Sequence, residues 1–176
     1  WLIALLFLGM AVSSVVGVFE EVVAALPIVI CFQSLVLDMA GNVGTQSLAV
    51  TIRVLVDEKL SFKDELALLG KEMRVGLLNG GCLGIMALVF LGVYIHVCKG
   101  YVWASAFLIS GCVGVSLIVA MVVSSLVGTL IPMLFNKIRI DPAVASGPLI
   151  TTVNDLVAVV AYYGLSLLFL INIFHI

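Results

Sequence analysis

Asp141-Pro-Ala-Val-Ala-Ser-Gly-Pro-Leu-Ile-Thr-Thr-Val-Asn-Asp155 opens the last apolar segment of the chain and plants a carboxylate inside it. Asp155 follows Asp141 by about 14 residues, which is roughly 20 Å at ~1.5 Å per helical residue. A hydrocarbon core is about 30 Å thick, so a helix starting here carries Asp155 deep into it. No Lys or Arg occurs in 142–176 to neutralise that charge. An acid at such depth is costly, and its default reading is functional.

The rest of the chain has the same character. Of its 176 residues, 64% are hydrophobic and 10% charged, against about 25% charged in soluble domains. Mean hydropathy is +1.35, which makes this an integral membrane protein. The formal charge of −2 and the lack of a basic patch argue against nucleic-acid binding.

Charges cut the sequence into five apolar segments: 1–19, 22–52, 75–97, 100–136 and 142–176. Each approaches or exceeds the roughly 20 residues that a spanning helix needs. Segment 1–19 has neither a basic leader nor a small-residue cleavage site, so it reads as a span and not as a signal peptide. Beginning at Trp1 within that run, the chain reads as a piece of a longer protein. The expected fold is all-α, a single transmembrane domain over 1–176 with five spanning helices. Pro27 and Gly41 are expected to interrupt the second span, Gly147-Pro148 the fifth, and Pro132 to end the fourth. Five spans cannot divide into equal inverted halves, so a symmetric pathway requires a dimer.

Basic residues set an orientation. Arg53, Lys59, Lys63, Lys71 and Arg74 fall between the second and third segments, Lys137 and Arg139 between the fourth and fifth, and Lys99 alone on the other side. By the positive-inside rule the amino end is cytoplasmic and the carboxyl end extracytoplasmic. The mixed-charge stretch 57–73 suggests a short amphipathic helix on the cytoplasmic surface, serving as a connector. Cys31, Cys82, Cys98 and Cys112 have no metal-site spacing and read as small buried hydrophobes. His96 and His175 sit at segment ends, and Trp103, Tyr162 and Tyr163 read as anchors or packing residues.

Asp38 is the second deep acid. Asn42, Thr45 and Gln46 follow it, and Thr151 and Gly147 precede Asp155, at spacings that share a helix face. Each acid admits two readings: a protonated, hydrogen-bonded structural carboxyl, or a carboxylate neutralised by a mobile cation. Oxygen-only donors without deep His or Cys favour a hard ion such as Mg²⁺ or Ca²⁺. Glu20-Glu21 reads as a solvated helix end or a cation-gathering vestibule. Asp141 reads as an N-cap before Pro142.

The run Leu37-Asp-Met-Ala-Gly-Asn-Val-Gly-Thr-Gln-Ser47 resembles the G-G-N-x-G-x-Q signature of MgtE-type magnesium transporters and channels. The 141–155 stretch resembles their fifth-helix motif. Glu20 after Gly17-Val18-Phe19, and Arg74-Val-Gly-Leu-Leu-Asn-Gly80, fit as well, with Ala40 replacing the first glycine of the signature. The resemblance implies a multi-pass cell-membrane homodimer embedded in lipid, with an ion path between second and fifth helices. It implies a largely hydrated Mg²⁺, as transported ion and ligand, held by Asp155 of both subunits. Thr151 would contribute a backbone carbonyl, and Gly41-Asn42 would line the constriction. The role of Asp38 is an open part of this set. Cytosolic regulatory domains precede the first span in bacterial members; none occurs in this stretch.

Channel-like conduction is the first functional expectation, and an ion- or proton-coupled exchanger the alternative. Enzyme activity is not expected: the sequence lacks the Y-D and G-x-G-D contexts of intramembrane aspartyl proteases, and has no Walker sequence.

Overall fold

The structure, a computed structural model, describes residues 2–57 and 60–174, apart from the side chains of Ala4, Asp57 and 143–146. Trp1, Lys59 and His175, which entered the expectations above, lie outside the described residues. The described chain is helical throughout: α1 Leu2–Gly17, α2 Glu20–Ala25, α3 Ile30–Asp57, α4 Phe62–Lys99, α5 Trp103–Lys137 and α6 Pro142–Leu165. A 3₁₀ turn, Pro27–Val29, leads into α3, and a π-helical stretch, Ser166–Ile173, continues α6.

Four of the described helices are long and apolar enough to cross a membrane: Pro27–Val56, Phe62–Lys99, Trp103–Lys137 and Gly147–Ile173. Segment 1–19 yields α1, which is apolar but has 16 residues. That is about 24 Å of helix, short of the expected span. The chain turns at Val18-Phe19, where both N–H groups bond back to Val15 and Val16, before the charged first turn of α2 begins.

Of the expected breaks one occurs where it was placed and the others do not. Pro27 does interrupt the second segment, as the first residue of the 3₁₀ turn. Gly41 does not, because α3 is continuous through it. Gly147-Pro148 lies inside α6, and the irregularity comes later, at Ser166. Pro132 sits within α5, which runs on to Lys137. Neighbouring helices make such prolines tolerable in a membrane helix. The stretch 57–73 forms no separate helix either. From Phe62 on it is the amino-terminal extension of α4, started by a capping box in which Ser61 and Asp64 satisfy each other's backbone N–H.

At the centre stands α5, which packs against α3, α4 and α6. The α4–α5 contact is built on a stripe of small residues. Gly76, Gly80 and Gly84 recur every fourth residue and are all buried. A Cβ on Gly84 would come within 2.9 Å of the Gly114 carbonyl oxygen, and one on Gly80 within 2.8 Å of the Ile118 Cα. Close backbone approach of this kind drives helix association where lipid removes the hydrophobic force.

The two helices form an antiparallel hairpin. Its turn is tight because Gly100 adopts φ +74° and caps α4 through its N–H to His96. His96 stacks on Trp103 at 3.8 Å and bonds the Tyr101 carbonyl through Nδ1. At the other end Lys137 pairs with Glu65 at 2.6 Å. The start of α4 and the end of α5, with their basic residues, therefore share one end of the bundle, and Lys99 lies at the opposite end.

Candidate functional site

The break at Pro27 is held by two tyrosines of α6. Tyr162 donates to the Val29 carbonyl at 2.8 Å, and Tyr163 donates to Gln33 Oε1. Both rings are fully buried, as the packing reading expected. They clamp α6 along the start of α3. Further along, the two helices meet at Gly44, where the Asn154 side chain occupies the space a Cβ would take. The Gly44 carbonyl also lies against Gly128 of α5, so three helices converge there.

This packing decides which faces of α3 and α6 turn outward. Ala40, Val43, Gly44, Ser47 and Thr51 form the inner face of α3, whereas Asp38, Asn42, Thr45 and Gln46 are exposed. Gly41 is half-buried, with nothing within 4 Å of a Cβ placed there. On α6 the inner stripe is Ile150, Asn154, Ala158, Tyr162, Ser166 and Leu170, each four residues from the last. Thr151 is exposed and Asp155 half-buried. All the expected site residues thus lie on, or at the edge of, the outward surface of the chain.

The structure does not gather them into one cluster. Asn42 and Gln46 open on a cleft of about 280 Å³ shared with Asn79 and Cys82 of α4. Among the described residues, no hydrogen bond or ion pair joins Asp38 or Asn42 to Asp155, and no cationic side chain pairs with either acid. Hydroxyls on this surface turn back on their own helices. Thr45 donates to the Gly41 and Asn42 carbonyls, both at 3.0 Å, and Thr151 to the Gly147 carbonyl at 2.9 Å. Side-chain amides, carboxylates and carbonyl oxygens are what the surface offers, and such donors suit a hard cation that keeps its waters. No group of three or more His, Cys, Asp or Glu residues forms a metal cluster among the described residues.

Three polar features escaped the sequence reading. Glu72 is buried at 5% exposure and accepts a 2.8 Å hydrogen bond from Ser47. Its register was the available signal, because Glu72 continues the stripe of Gly76, Gly80 and Gly84 that faces α5. Asn154 is 0% exposed, and neither polar atom of its side chain has a protein partner among the described residues. The third is Asn79. Conversely Cys31, Cys82 and Cys98 are exposed and free, and only Cys112 is buried as expected. His96 is held at the turn, away from both acids.

A family described as divalent cation transporter, MgtE, matches residues 33–165. The magnesium transporter MgtE of Enterococcus faecalis is 41% identical over 173 residues, covering 97% of this chain and 36% of that protein. The magnesium transporters MgtE of Bacillus subtilis and Thermus thermophilus are 35% and 34% identical, with the same coverage. The chain spans about a third of the length of these relatives. Both sequence motifs fall within the matched residues, on the two helices that meet at Gly44, and the chain belongs to the MgtE family, a family of divalent cation transporters and not of enzymes.

Proposed function

We propose that this domain conducts Mg²⁺ across a cell membrane along a path between two copies of the chain. In this reading Asp155 of both subunits holds a largely hydrated ion. The Thr151 backbone carbonyl and the Gly41-Asn42 region line the same constriction, with Asp38 further along. The observation that carries the reading is the outward polar surface of α3 and α6: Asp38, Asn42, Thr45 and Thr151 are exposed in a single subunit, at the level of spanning helices. The threonine hydroxyls are satisfied by their own helices, but lipid is a poor environment for Asp38, Asn42 and Asp155, since each unmatched polar or charged group costs several kcal/mol. A second subunit enclosing a hydrated path removes the cost and supplies the second carboxylate. In this reading α1, short as it is, serves together with the turn at Val18-Phe19 as a fifth crossing, lying against α6. Orientation follows the shared basic end, with the amino terminus cytoplasmic.

Similarity to three magnesium transporters supports Mg²⁺ as the ion. A negative-inside potential contributes about 2.3 kcal/mol per charge per 100 mV, so roughly 4.6 kcal/mol for a divalent ion. Passive inward flux then needs no coupled gradient. The test is Mg²⁺ uptake into liposomes holding the full-length protein, at fixed voltage and without a Na⁺ or H⁺ gradient. Uptake by the wild type and its loss in Asp155→Ala, with the dimer intact by cross-linking, is the expected result. Wild-type uptake in that variant, or uptake only with a second ion gradient, overturns the proposal.

A further inference from the structure

Seven of the eight basic residues border the same side of the apolar segments, and three of them line one groove. It is a shallow, open strip on the outer face of α4, since every residue that lines it, from Lys63 to Leu78, belongs to that helix at three- and four-residue spacing. Ala67 and Gly70 form its floor, because their small size leaves a recess between longer neighbours. Lys63, Lys71 and Arg74 form its rim, and Val75 and Leu78 continue it into the uncharged run that follows.

The described acids of this part of α4 are turned elsewhere. Glu65 pairs with Lys137, Asp64 bonds Ser61, and Glu72 accepts from Ser47 on the opposite side of the helix. Among the described residues none of the three rim cations has an ion-pair partner. A groove with unpaired cations at its mouth and aliphatic side chains beyond them matches one ligand chemistry: a phosphate-bearing headgroup whose acyl chain lies along the helix. Arg74 is the last charge before the apolar run, which sets the groove at the headgroup level of a bilayer. Guanidinium and ammonium groups at that level attract anionic lipid, each to the extent of roughly fivefold in affinity.

We infer that the α4 groove is a binding site for an anionic phospholipid, with the phosphate on Lys63, Lys71 and Arg74 and the acyl chain against Val75 and Leu78. The inference rests on the membrane embedding of α4 and is independent of the transport reading. Leu78 is 68% exposed, so Leu78→Trp places a reporter at the apolar end without disturbing packing. The full-length protein carrying it is reconstituted in phosphatidylcholine containing brominated phosphatidylglycerol or, at the same fraction, brominated phosphatidylcholine. Stronger quenching of the new indole by the anionic lipid is expected. Lys71→Gln with Arg74→Gln should lower that preference at least about fivefold, whereas Lys71→Arg with Arg74→Lys should keep it. Helical circular dichroism and elution volume check that each variant is folded. Native mass spectrometry of the protein without the reporter should show retained phosphatidylglycerol that the Gln pair loses. Equal quenching by both lipids, or a preference that survives the Gln pair, overturns the inference. So does protection from both lipids, which puts another polypeptide segment on the groove. Abolition by inorganic phosphate makes it a free-anion site and overturns it as well.

Discussion

Asn154 of α6 rests directly on Gly44 of α3, and the Gly44 carbonyl in turn rests on Gly128 of α5. The two helices with the candidate ion-path residues are therefore spaced by a glycine that has no room to grow. The glycines differ in what a methyl group would meet. At Gly44 it meets a side chain, which can swing; at Gly128 it meets a backbone carbonyl, which cannot. Overpacking costs about 1–3 kcal/mol, so Gly128→Ala should lower thermal stability in detergent more than Gly44→Ala does. Gly41→Ala meets nothing within its own chain, so the packing of α3 against α5 and α6 should tolerate it better than either. Equal melting of all three variants contradicts this packing.

Glu72 and Ser47 give a second measurable contact. Their hydrogen bond joins α4 to α3, two helices that otherwise meet mainly through α5. Ser47→Ala leaves a buried carboxyl without its partner, at a cost of about 1–3 kcal/mol. Glu72→Gln retains an acceptor for the serine hydroxyl and should be milder. Denaturant unfolding of both variants gives the order, and a larger loss in Glu72→Gln would show that the charge, not the hydrogen bond, matters.

The helical, membrane-embedded class was legible because composition and segment length alone demand it. The outward face of α3 was legible too, because Asp38, Asn42, Thr45 and Gln46 share a helical face and are exposed as a set. Helix breaks were legible only in part, at Pro27. A proline or glycine marks where a break is tolerated, but packing decides whether it occurs, and α5 and α6 run through Pro132 and Pro148. Glu72 was not singled out because the mixed-charge stretch 57–73 read as a surface amphipathic helix, whereas from Phe62 on it extends α4, which stays largely exposed but turns Glu72 toward Ser47 of α3. Asn154 was overshadowed by the charge beside it, although it, and not Asp155, sits on the stripe that packs.

The tyrosine clamp offers a third test. Tyr162 is buried and donates to the Val29 carbonyl beside the Pro27 turn. Tyr162→Phe keeps the ring and deletes the donor, which should cost about 1 kcal/mol. Hydrogen exchange should rise first in the residues next to the 3₁₀ turn. A uniform change along α3 would mean that the hydroxyl does not hold that turn.

Thr151 and Asp155 lie one turn apart on α6 but should respond differently to substitution. The Thr151 hydroxyl donates to the Gly147 and Pro148 carbonyls at 2.9 and 3.3 Å, so its proton is engaged within its own helix. If the residue serves the ion through its backbone carbonyl, Thr151→Val should keep most Mg²⁺ flux, because valine preserves the β-branched shape and the carbonyl. Asp155→Asn keeps size and hydrogen-bonding capacity but removes the negative charge, and should abolish flux while the protein elutes as the wild type does. Side-by-side liposome uptake separates the two roles. Loss in Thr151→Val would make the hydroxyl a ligand, and retention in Asp155→Asn would mean that the ion does not need that charge.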